Sequence, residues 1–407
     1  MRRRHRSAAL AALLLATTAD GADVGSVELE ASWRSDLYRI VDGGRAERTE
    51  HIGQLDVALT GERSGLFGAP LRWTVSGFVN DGGSVTRQLG DIQVLSNIEI
   101  AEQTTRWNEV HVEQALIGGA SLLVGKYDLN AEFDVLSSAT PFINSAFGIG
   151  TDIGQTGRNG PSIFPATGFG ARLALPISDR LGLKLAVLDG VPGGSSRDRF
   201  ALSSRDGALV VAELDWRSAR STVLFGHWRY TTDFDAQCAP PLCGDEDDNE
   251  GVYLRGEHRV VEARDDGPAV SVFASIGTAN PQFNVFDRFW SLGLLIDAPF
   301  AGRPQDQFGI GIARGVAARE RRRALRADGI DPTGGESAIE LTWLLRIGEH
   351  LLLQPMFQYV IDPGTRSDVR DASVFGLRVE LGVARTLLRA RDDRAISPSS
   401  ARGSPSG

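Results

Sequence analysis

The sequence predicts an all-β protein, a transmembrane antiparallel β-barrel of about 16 strands with an infolded constriction loop. Apolar and polar residues alternate at period two along most of the chain. Clusters of Gly, Pro, Asp and Asn separate the alternating segments. The N-terminus carries an export signature, and no later apolar run approaches the length of a spanning helix. An exported chain that crosses a membrane without such a helix has to form a closed barrel.

Composition excludes several protein classes. Of the 407 residues, 42% are hydrophobic, which is too many for a disordered chain. The chain carries 52 acidic and 43 basic residues, and this acidic balance argues against nucleic acid as a partner. Its 2 cysteines cannot build a disulfide framework or a four-thiolate zinc site. We therefore expect no nucleic-acid partner, no metal site and no cofactor.

The first residues are typical of a cleaved secretory signal peptide. A basic stretch, MRRRHR, precedes the apolar run at 8–16 and a group of small residues. Cleavage near Ala19 or Ala22 fits this pattern, and a cytosolic protein with a basic tail is the alternative. The predicted organisation is a signal peptide at 1–22, a barrel domain at 23–385 and a Ser/Pro/Arg-rich, disordered tail at 386–407.

Sixteen segments carry the strand pattern. In the last of them, 375–383, the odd-numbered residues are apolar and the even-numbered ones are Gly, Arg or Glu. Successive strand side chains point to opposite faces, so each segment offers one apolar face. An Arg-rich run at 316–327 is predicted as a helical insert in a loop. In chain order, the predicted strands are 27–34, 54–60, 72–79, 108–117, 121–127, 170–177, 181–188, 208–216, 221–230, 252–261, 269–278, 289–296, 307–314, 339–346, 351–361 and 375–383.

Two all-β architectures bury such faces. A soluble sandwich hides the apolar face between two sheets, whereas an outer-membrane barrel turns it towards lipid and lines a lumen with the polar face. Arg and Glu inside the predicted strands suit a wet lumen, and the segments follow one another without a domain-like linker. A closed barrel also leaves no edge strand. These features favour an outer-membrane barrel.

Longer motifs sharpen this prediction. Residues 90–135 read GDIQVLSNIEIAEQTTRWNEVHVEQALIGGASLLVGKYDLNAEFDV, followed by PFINSAFGIG at 141–150 and GQTGRNGPSIFPATGFGARL at 154–173. Further motifs are VLDGVPG, SSRDGALVVAEL, ANPQFNVFD, LLQPMFQYVIDPG and VFGLRVELGV. Together they resemble the carbohydrate-selective porin family, the OprB-type porins of Gram-negative bacteria. The resemblance runs from about residue 26 to residue 384.

The resemblance implies a sixteen-stranded outer-membrane porin through which small sugars diffuse passively into the periplasm. It implies a mono- or oligosaccharide substrate, outer-membrane lipid, the barrel-assembly machinery during insertion, and a homotrimer or a monomer. The chain departs from the terminal aromatic residue of such porins, because Val383 ends the predicted last strand and 384–407 follow it. A general or ion-conducting porin without sugar preference, or a barrel enzyme, are the alternatives.

The segment 127–165 carries the groups that a sugar pore needs. Polar side chains can replace the water lost by sugar hydroxyls, aromatic faces can stack on sugar rings, and its five glycines permit an irregular path. We predict that it forms the constriction loop, and an ordinary external loop is the alternative. Its predicted pore residues are Asp128, Asn130, Glu132, Asp134, Asn144, Arg158 and Asn159, interleaved with Phe133, Phe142, Phe147 and Phe164.

Arg106 and Trp107 are a second candidate pair, because a guanidinium beside an indole can hold and stack a sugar. A Trp at a strand end more often belongs to the interfacial aromatic girdle, and this interpretation is favoured for Trp107. A girdle or lipid-facing position is also predicted for Trp33, Trp73, Trp216, Trp228, Trp290 and Trp343.

Cys238 and Cys243 lie close together in a predicted external loop, and a disulfide is expected in an oxidising compartment. The acidic run at 245–248 lacks the spacing of an EF-hand loop and is expected to be a solvated loop tip. The sequence contains neither a His-Glu-X-X-His motif nor a Gly-X-Ser-X-Gly elbow. We therefore do not expect an enzyme.

Overall fold

The computed structural model describes residues 24–193, 206–232, 249–263 and 267–388. Sixteen antiparallel strands form one closed barrel, in which each strand pairs with its neighbours in sequence and β16 returns to β1. The strands are β1 Val24–Gly44, β2 Thr49–Ser64, β3 Pro70–Gly82, β4 Thr104–Ala115, β5 Ser121–Tyr127, β6 Gly168–Ser178, β7 Leu181–Asp189, β8 Ala208–Arg217, β9 Ser221–Tyr230, β10 Glu250–Val261, β11 Ala269–Ala279, β12 Phe286–Asp297, β13 Gln307–Ala317, β14 Gly335–Ile347, β15 Leu351–Ile361 and β16 Arg370–Leu388. The predicted fold class is confirmed.

Each predicted strand corresponds to one observed strand, but the two strands at the seam are much longer than expected. β1 continues to Gly44, and β16 continues to Leu388. The prediction that the last strand ends at Val383 was wrong, because Ala384 and Arg385 pair with Glu30 and Leu29 of β1. Backbone pairing with β1 carries the strand past the end of the most regular alternation.

Helices are few and short in the described residues. Four α-helices occur, at α1 Val85–Leu89, α2 Ser145–Gly148, α3 Thr151–Gly154 and α4 Arg319–Ala327, and four 3₁₀ turns, at Leu66–Gly68, Ile117–Gly119, Leu129–Ala131 and Pro363–Thr365. The Arg-rich helix predicted at 316–327 is α4, but β13 takes its first two residues. Nowhere in the described part of the chain is a helix long and apolar enough to span a bilayer.

The connections differ at the two ends of the barrel. One end, the turn rim, carries the shorter turns and the strand ends Val24 and Leu388, and the other end, the loop rim, carries longer loops. In outer-membrane barrels the short turns face the periplasm and the long loops face outside. Two loops fold back into the barrel: the short inner loop, residues 83–103, and the long inner loop, residues 128–167.

Opposite faces of the strands meet opposite environments. In β16, Phe375 and Leu381 are exposed on the outer surface, whereas Val374 and Arg378 are buried inside. This alternation follows from the period of two in an extended chain. It gives the barrel an apolar outer band and a largely polar inner wall.

The buried core lies between the inner loops and the barrel wall. The rings of Phe142 and Phe147 pack in contact with each other, with centroids 4.6 Å apart, on the inner face of β13. A Cβ atom on Gly309 would lie 2.8 Å from the Phe142 ring, and one on Gly311 would lie 2.8 Å from the Phe147 ring. Glycine at these two wall positions therefore makes room for the aromatic rings of the long inner loop.

The interpretation of Trp228 as a girdle or lipid-facing residue was wrong. Its side chain is fully buried inside the barrel, in an edge-to-face contact with Tyr230. Trp228 follows the outward Phe225 and His227 on β9 and has the opposite orientation. By contrast, Trp33, Trp216 and Trp290 are exposed on the outer surface.

The outer band predicts how the barrel tolerates charge. Leu292 lies in the middle of β12 and is 55% exposed, whereas Ile347 ends β14 and is 46% exposed. We expect Leu292→Arg to destabilise the barrel by about 2–4 kcal/mol and Ile347→Arg by at most about 1 kcal/mol, because the cost of a buried cation falls towards the interface. Urea unfolding of the protein from lipid vesicles measures the free energy of unfolding of both variants. Equal effects would contradict the assignment of this face to hydrocarbon.

Candidate functional site

The long inner loop begins with a carboxylate that holds both ends of the loop together. Asp128 follows β5 directly, and its two oxygens accept hydrogen bonds from the backbone N–H of Asn130 at 2.8 Å and of Phe164 at 3.1 Å. Ser162 donates its hydroxyl to the carbonyl of Tyr127 at 2.8 Å. Burial of Asp128 disfavours its charged form and raises its pKa to about 6.

A buried arginine from the opposite wall anchors two separate turns of this loop. Arg255 of β10 donates to Asp134 through Nε at 2.6 Å and Nη2 at 3.0 Å, and to Asp152 through Nη2 at 2.8 Å. The three side chains are 1%, 4% and 0% exposed, respectively. Asp134 also accepts the N–H of Gly150 at 3.0 Å. One guanidinium thus joins two turns of the loop to the wall, in the charge-assisted geometry that arginine forms best.

A buried carboxylate of β14 anchors the stretch of the loop between these two turns. Glu340 of β14 accepts the backbone N–H of Ile143 at 2.9 Å and that of Asn144 at 2.8 Å. The Asn144 side chain donates to Gln358 of β15 at 3.0 Å. Because these contacts lie across the barrel from β5, the long inner loop spans the lumen.

The sequence did not reveal the short inner loop as a lumen element. Leu95 and Ile98 are buried against the inner wall, in one cluster with Val85, Leu89 and Tyr38. The carbonyl of Leu95 accepts from Gln358 at 3.0 Å, and the N–H of Asn97 donates to the carbonyl of Ile143 at 2.9 Å. A run of apolar residues in a connection between strands was the available signal.

Paired charges lie at the inner wall beside the long inner loop. Arg172 of β6 donates to Glu132 at 2.8 Å and to Glu113 of β4 at 2.9 Å, and these two carboxylates are 24% and 25% exposed. On the neighbouring wall, Arg34 of β1 donates to Asp56 of β2 at 2.6 Å, and both are partly exposed. Sequence reasoning missed Arg34, Asp56, Glu113 and Arg172. Their signal was a charged residue at an inward position of a predicted strand.

The predicted pore residues of the long inner loop occupy three different places. Asp128, Asn130 and Glu132 are partly exposed at its start. Asp134 and Asn144 are buried and hold the loop to the wall instead of facing water. The remaining two, Arg158 and Asn159, are exposed near the end of the loop, where Asn159 donates to the carbonyl of Pro192 at 3.2 Å.

The aromatic residues of the loop do not present a stacking surface to the lumen. Phe133, Phe142 and Phe147 are buried against the wall, so the prediction that they stack on sugar rings was wrong. Phe164 packs on Phe78 with ring centroids 5.0 Å apart. Burying apolar rings against the wall is more favourable than leaving them in a wet lumen.

Arg106 and Trp107 cannot act together on one ligand, because they lie on opposite faces of β4. Trp107 pairs with Gly77 and is exposed on the outer surface, in agreement with the favoured girdle interpretation. Arg106 pairs with the inward Phe78, and its Nη1 donates to the carbonyl of Pro165 at 2.9 Å. Cys238, Cys243 and the acidic run at 245–248 lie outside the described residues.

The described residues include two Ser–His contacts that bear on the enzyme alternative. Ser35 Oγ lies 2.9 Å from His51 Nε2, and Ser221 Oγ lies 2.8 Å from His258 Nδ1. Both pairs are exposed cross-strand neighbours. Among the described residues no carboxylate hydrogen-bonds either histidine, so the orienting group of a nucleophilic triad is not part of either contact.

Comparison with known proteins gives a consistent result. A family model described as carbohydrate-selective porin, OprB family, matches residues 71–382. The chain is 22% identical over 325 residues to Porin B of Pseudomonas aeruginosa, covering 72% of this chain and 71% of that protein. The high-pH structure of Pseudomonas putida OprB has a TM-score of 0.77 at 18% identity, covering 88% of this chain and 94% of that one. Salmonella typhi OmpF in complex with daunomycin has a TM-score of 0.59 at 10% identity, covering 88% and 97%. The two structures share the barrel fold.

The buried ion pairs predict that Arg255 holds the long inner loop in place. In Arg255→Gln, Asp134 and Asp152 keep buried charges without a cation, which costs about 3–5 kcal/mol. We expect amide hydrogen exchange over residues 133–152 to become at least about 100-fold faster in the folded barrel. The matched control is Arg72→Gln, which breaks an exposed pair with Glu62 worth less than about 1 kcal/mol. Unchanged exchange in Arg255→Gln would refute the anchoring role.

The raised pKa of Asp128 predicts a dependence of stability on pH. The folded protein binds this proton more tightly than the unfolded chain, so the contribution is present below about pH 4 and is lost as the pH rises through about 6. Between these limits, the free energy of unfolding of the wild type should fall by about 2–3 kcal/mol more than that of Asp128→Asn. Urea unfolding at stepped pH measures the difference, and parallel curves would contradict it.

Proposed function

The chain belongs to the carbohydrate-selective porin family, OprB, and we propose that it admits small neutral sugars by passive diffusion into the periplasm. The observation that carries this proposal is a set of ion pairs at the inner wall: the buried Arg172 with the partly exposed carboxylates of Glu113 and Glu132, and the partly exposed pair of Arg34 with Asp56. They lie beside loops that are firmly tied into the lumen.

Paired charges suit hydroxyl groups better than they suit ions. A sugar hydroxyl both donates and accepts, so it can donate to the partly exposed carboxylates of Glu113, Glu132 and Asp56, accept from Arg34, and replace the water that it loses. A solute with a net charge meets both signs at close range and also has to leave its hydration shell. Because Phe133, Phe142 and Phe147 are buried, recognition falls to hydrogen bonds. Binding of this kind is weak, which permits fast exit.

The surroundings of the barrel follow from the same proposal. The outer membrane is the location that the porin family and barrel fold imply, and the apolar outer band contacts its lipid. We propose that residues 1–22 are removed as a signal peptide and that the barrel-assembly machinery inserts the chain. Residues 23–385, extended by strand residues 386–388 of β16, form the porin domain, and the residues after Leu388 form a periplasmic tail. The barrel functions as a monomer or as a homotrimer.

Liposome swelling tests sugar selectivity directly. We expect proteoliposomes to swell faster in glucose than in gluconate or in protonated glucosamine, which match it in size but carry one charge. Swelling should be slower for a longer oligosaccharide than for glucose. Equal rates for neutral and charged solutes of one size would identify a general porin instead, and no swelling from a correctly folded barrel would refute the proposal.

Glu132→Gln tests whether the paired charges carry the selectivity. It removes the negative charge from one partner of Arg172, while Glu113 keeps the arginine paired. Loss of a charged hydrogen bond to the sugar costs about 1.5 kcal/mol. We therefore expect glucose to enter roughly 10-fold more slowly through the variant than through the wild type, when each rate is divided by the leak rate of a bulky ion through the same barrel. Arg158→Gln, on an exposed residue near the end of the loop, is the control and should keep the wild-type rate.

A further inference from the structure

A buried carboxylate, Glu336, joins three segments at the loop rim. It lies at the start of β14 and is fully buried. Its oxygens accept the N–H of Ile92 at 2.9 Å, of Gln93 at 2.8 Å and of Gly364 at 2.6 Å. The Gln93 side chain also donates to the Glu336 backbone carbonyl at 2.9 Å. Glu336 therefore holds the short inner loop and the loop between β15 and β16 at one place.

Several buried oxygens around Glu336 lack a hydrogen-bond donor among the described residues. Both carboxylate oxygens of Asp91, the side-chain oxygen of Gln93 and the hydroxyl of Thr365 are in this state. Asp91 precedes Ile92 and Thr365 follows Gly364 in the chain, and the N–H groups of Ile92 and Gly364 both donate to Glu336. The Asp91 side chain is only 6% exposed. Burial and the neighbouring carboxylates of Glu336 and Glu99 raise the pKa of Asp91, and the Thr86 hydroxyl donates to Glu99 at 3.2 Å. Buried acceptors without a donor are rare in proteins and call for a ligand, a proton or water.

Negative charge accompanies these oxygens. Asp91 and Glu336 are both buried acids, and no described Arg or Lys pairs with either within 4.0 Å. Two arginines lie nearby and make other contacts. Arg45 is exposed and lies next to Gly90. Arg321 donates to the backbone carbonyl of Gly364 at 3.3 Å. A buried carboxylate beside another, without a cation, is strongly disfavoured.

We infer that Asp91, together with Gln93 and Glu336, binds a divalent cation, Ca²⁺, which fastens the short inner loop to β14. The available donors are carboxylate, amide and hydroxyl oxygens, which are the ligands of hard cations. They contain no thiolate or imidazole, so zinc and copper are not favoured. Ca²⁺ accepts six to eight oxygens in irregular arrangements, whereas Mg²⁺ requires near-octahedral geometry. No three His, Cys, Asp or Glu residues of the described chain are grouped so that they could hold a metal ion together. Neutral oxygens and water therefore complete the coordination shell of the cation.

The position of the site gives the cation a structural role. The short inner loop contributes Asp91 and Gln93, and the wall contributes Glu336. The loop rim faces the outside, where sites of moderate affinity, with Kd near 10⁻⁴–10⁻³ M, are occupied. Binding would hold the short inner loop against β14 without any contact with a sugar. The inference therefore stands apart from the proposed sugar selectivity.

Equilibrium dialysis with CaCl₂ tests the inference on the full-length barrel in detergent after removal of metal with a chelator. We expect Asp91→Asn to bind one calcium ion fewer per barrel than the wild type. Glu102→Gln, which removes an exposed charge from the same loop, is the matched control and should bind as the wild type does. Calcium held elsewhere in the chain is common to all three proteins and cancels in the comparison.

Three results would overturn the inference. Equal binding by the wild type and Asp91→Asn would remove Asp91 as a ligand. An equal loss in Glu102→Gln would indicate a diffuse charge effect. No binding by the wild type would mean that a shared proton or water satisfies Asp91. Where Asp91→Asn does not fold, amide exchange of Ile92 and Gln93 in the wild type decides, because calcium should slow it at least 10-fold relative to chelator and an unchanged rate would refute the site.

Discussion

Backbone hydrogen bonding in hydrocarbon is the constraint on which this structure depends. Each unpaired N–H or C=O in lipid costs several kcal/mol, so the sheet has to close. The seam between β1 and β16 closes it, with a register that runs from Val27 opposite Leu388 to Gly44 opposite Arg370. These two strands are the longest, at 21 and 19 residues. Once every strand has two partners, the inner wall and the loops that fold onto it are left to act on a solute.

The inner wall then has to hold loops in a polar space. Apolar packing supplies part of this, through Phe142 and Phe147 on the glycines of β13. Buried acids supply the specificity: Glu340 and Glu336 each accept backbone N–H groups from an inner loop, and Asp134 and Asp152 share the single guanidinium of Arg255. Such groups are costly to bury alone, so each fixes one loop arrangement and disfavours alternatives that leave it unpaired.

Buried charged side chains hold the inner loops in place, whereas partly exposed ones can contact a solute in the lumen. Asp134 and Glu132 are two residues apart, yet Arg255 of β10 covers the first and Arg172 of β6 shares the second with the lumen. A pattern in the sequence identifies both as polar residues of one loop. Only contacts with strands more than thirty residues away determine which of them a solute can reach.

Sequence alone determined the sixteen strands, the alternation of apolar and polar faces along most of them, and one of the two loops that enter the barrel, because period two and the demand of hydrocarbon act on every strand locally. The tertiary structure decided the rest. In it, Trp228 lies in the interior and not on the outer surface, and Arg106 and Trp107 lie on opposite faces of β4. Strand β16 continues to Leu388, and the short inner loop is hydrogen-bonded to Glu336. Each of these depends on a partner distant in sequence, and local periodicity carries no information about distant partners.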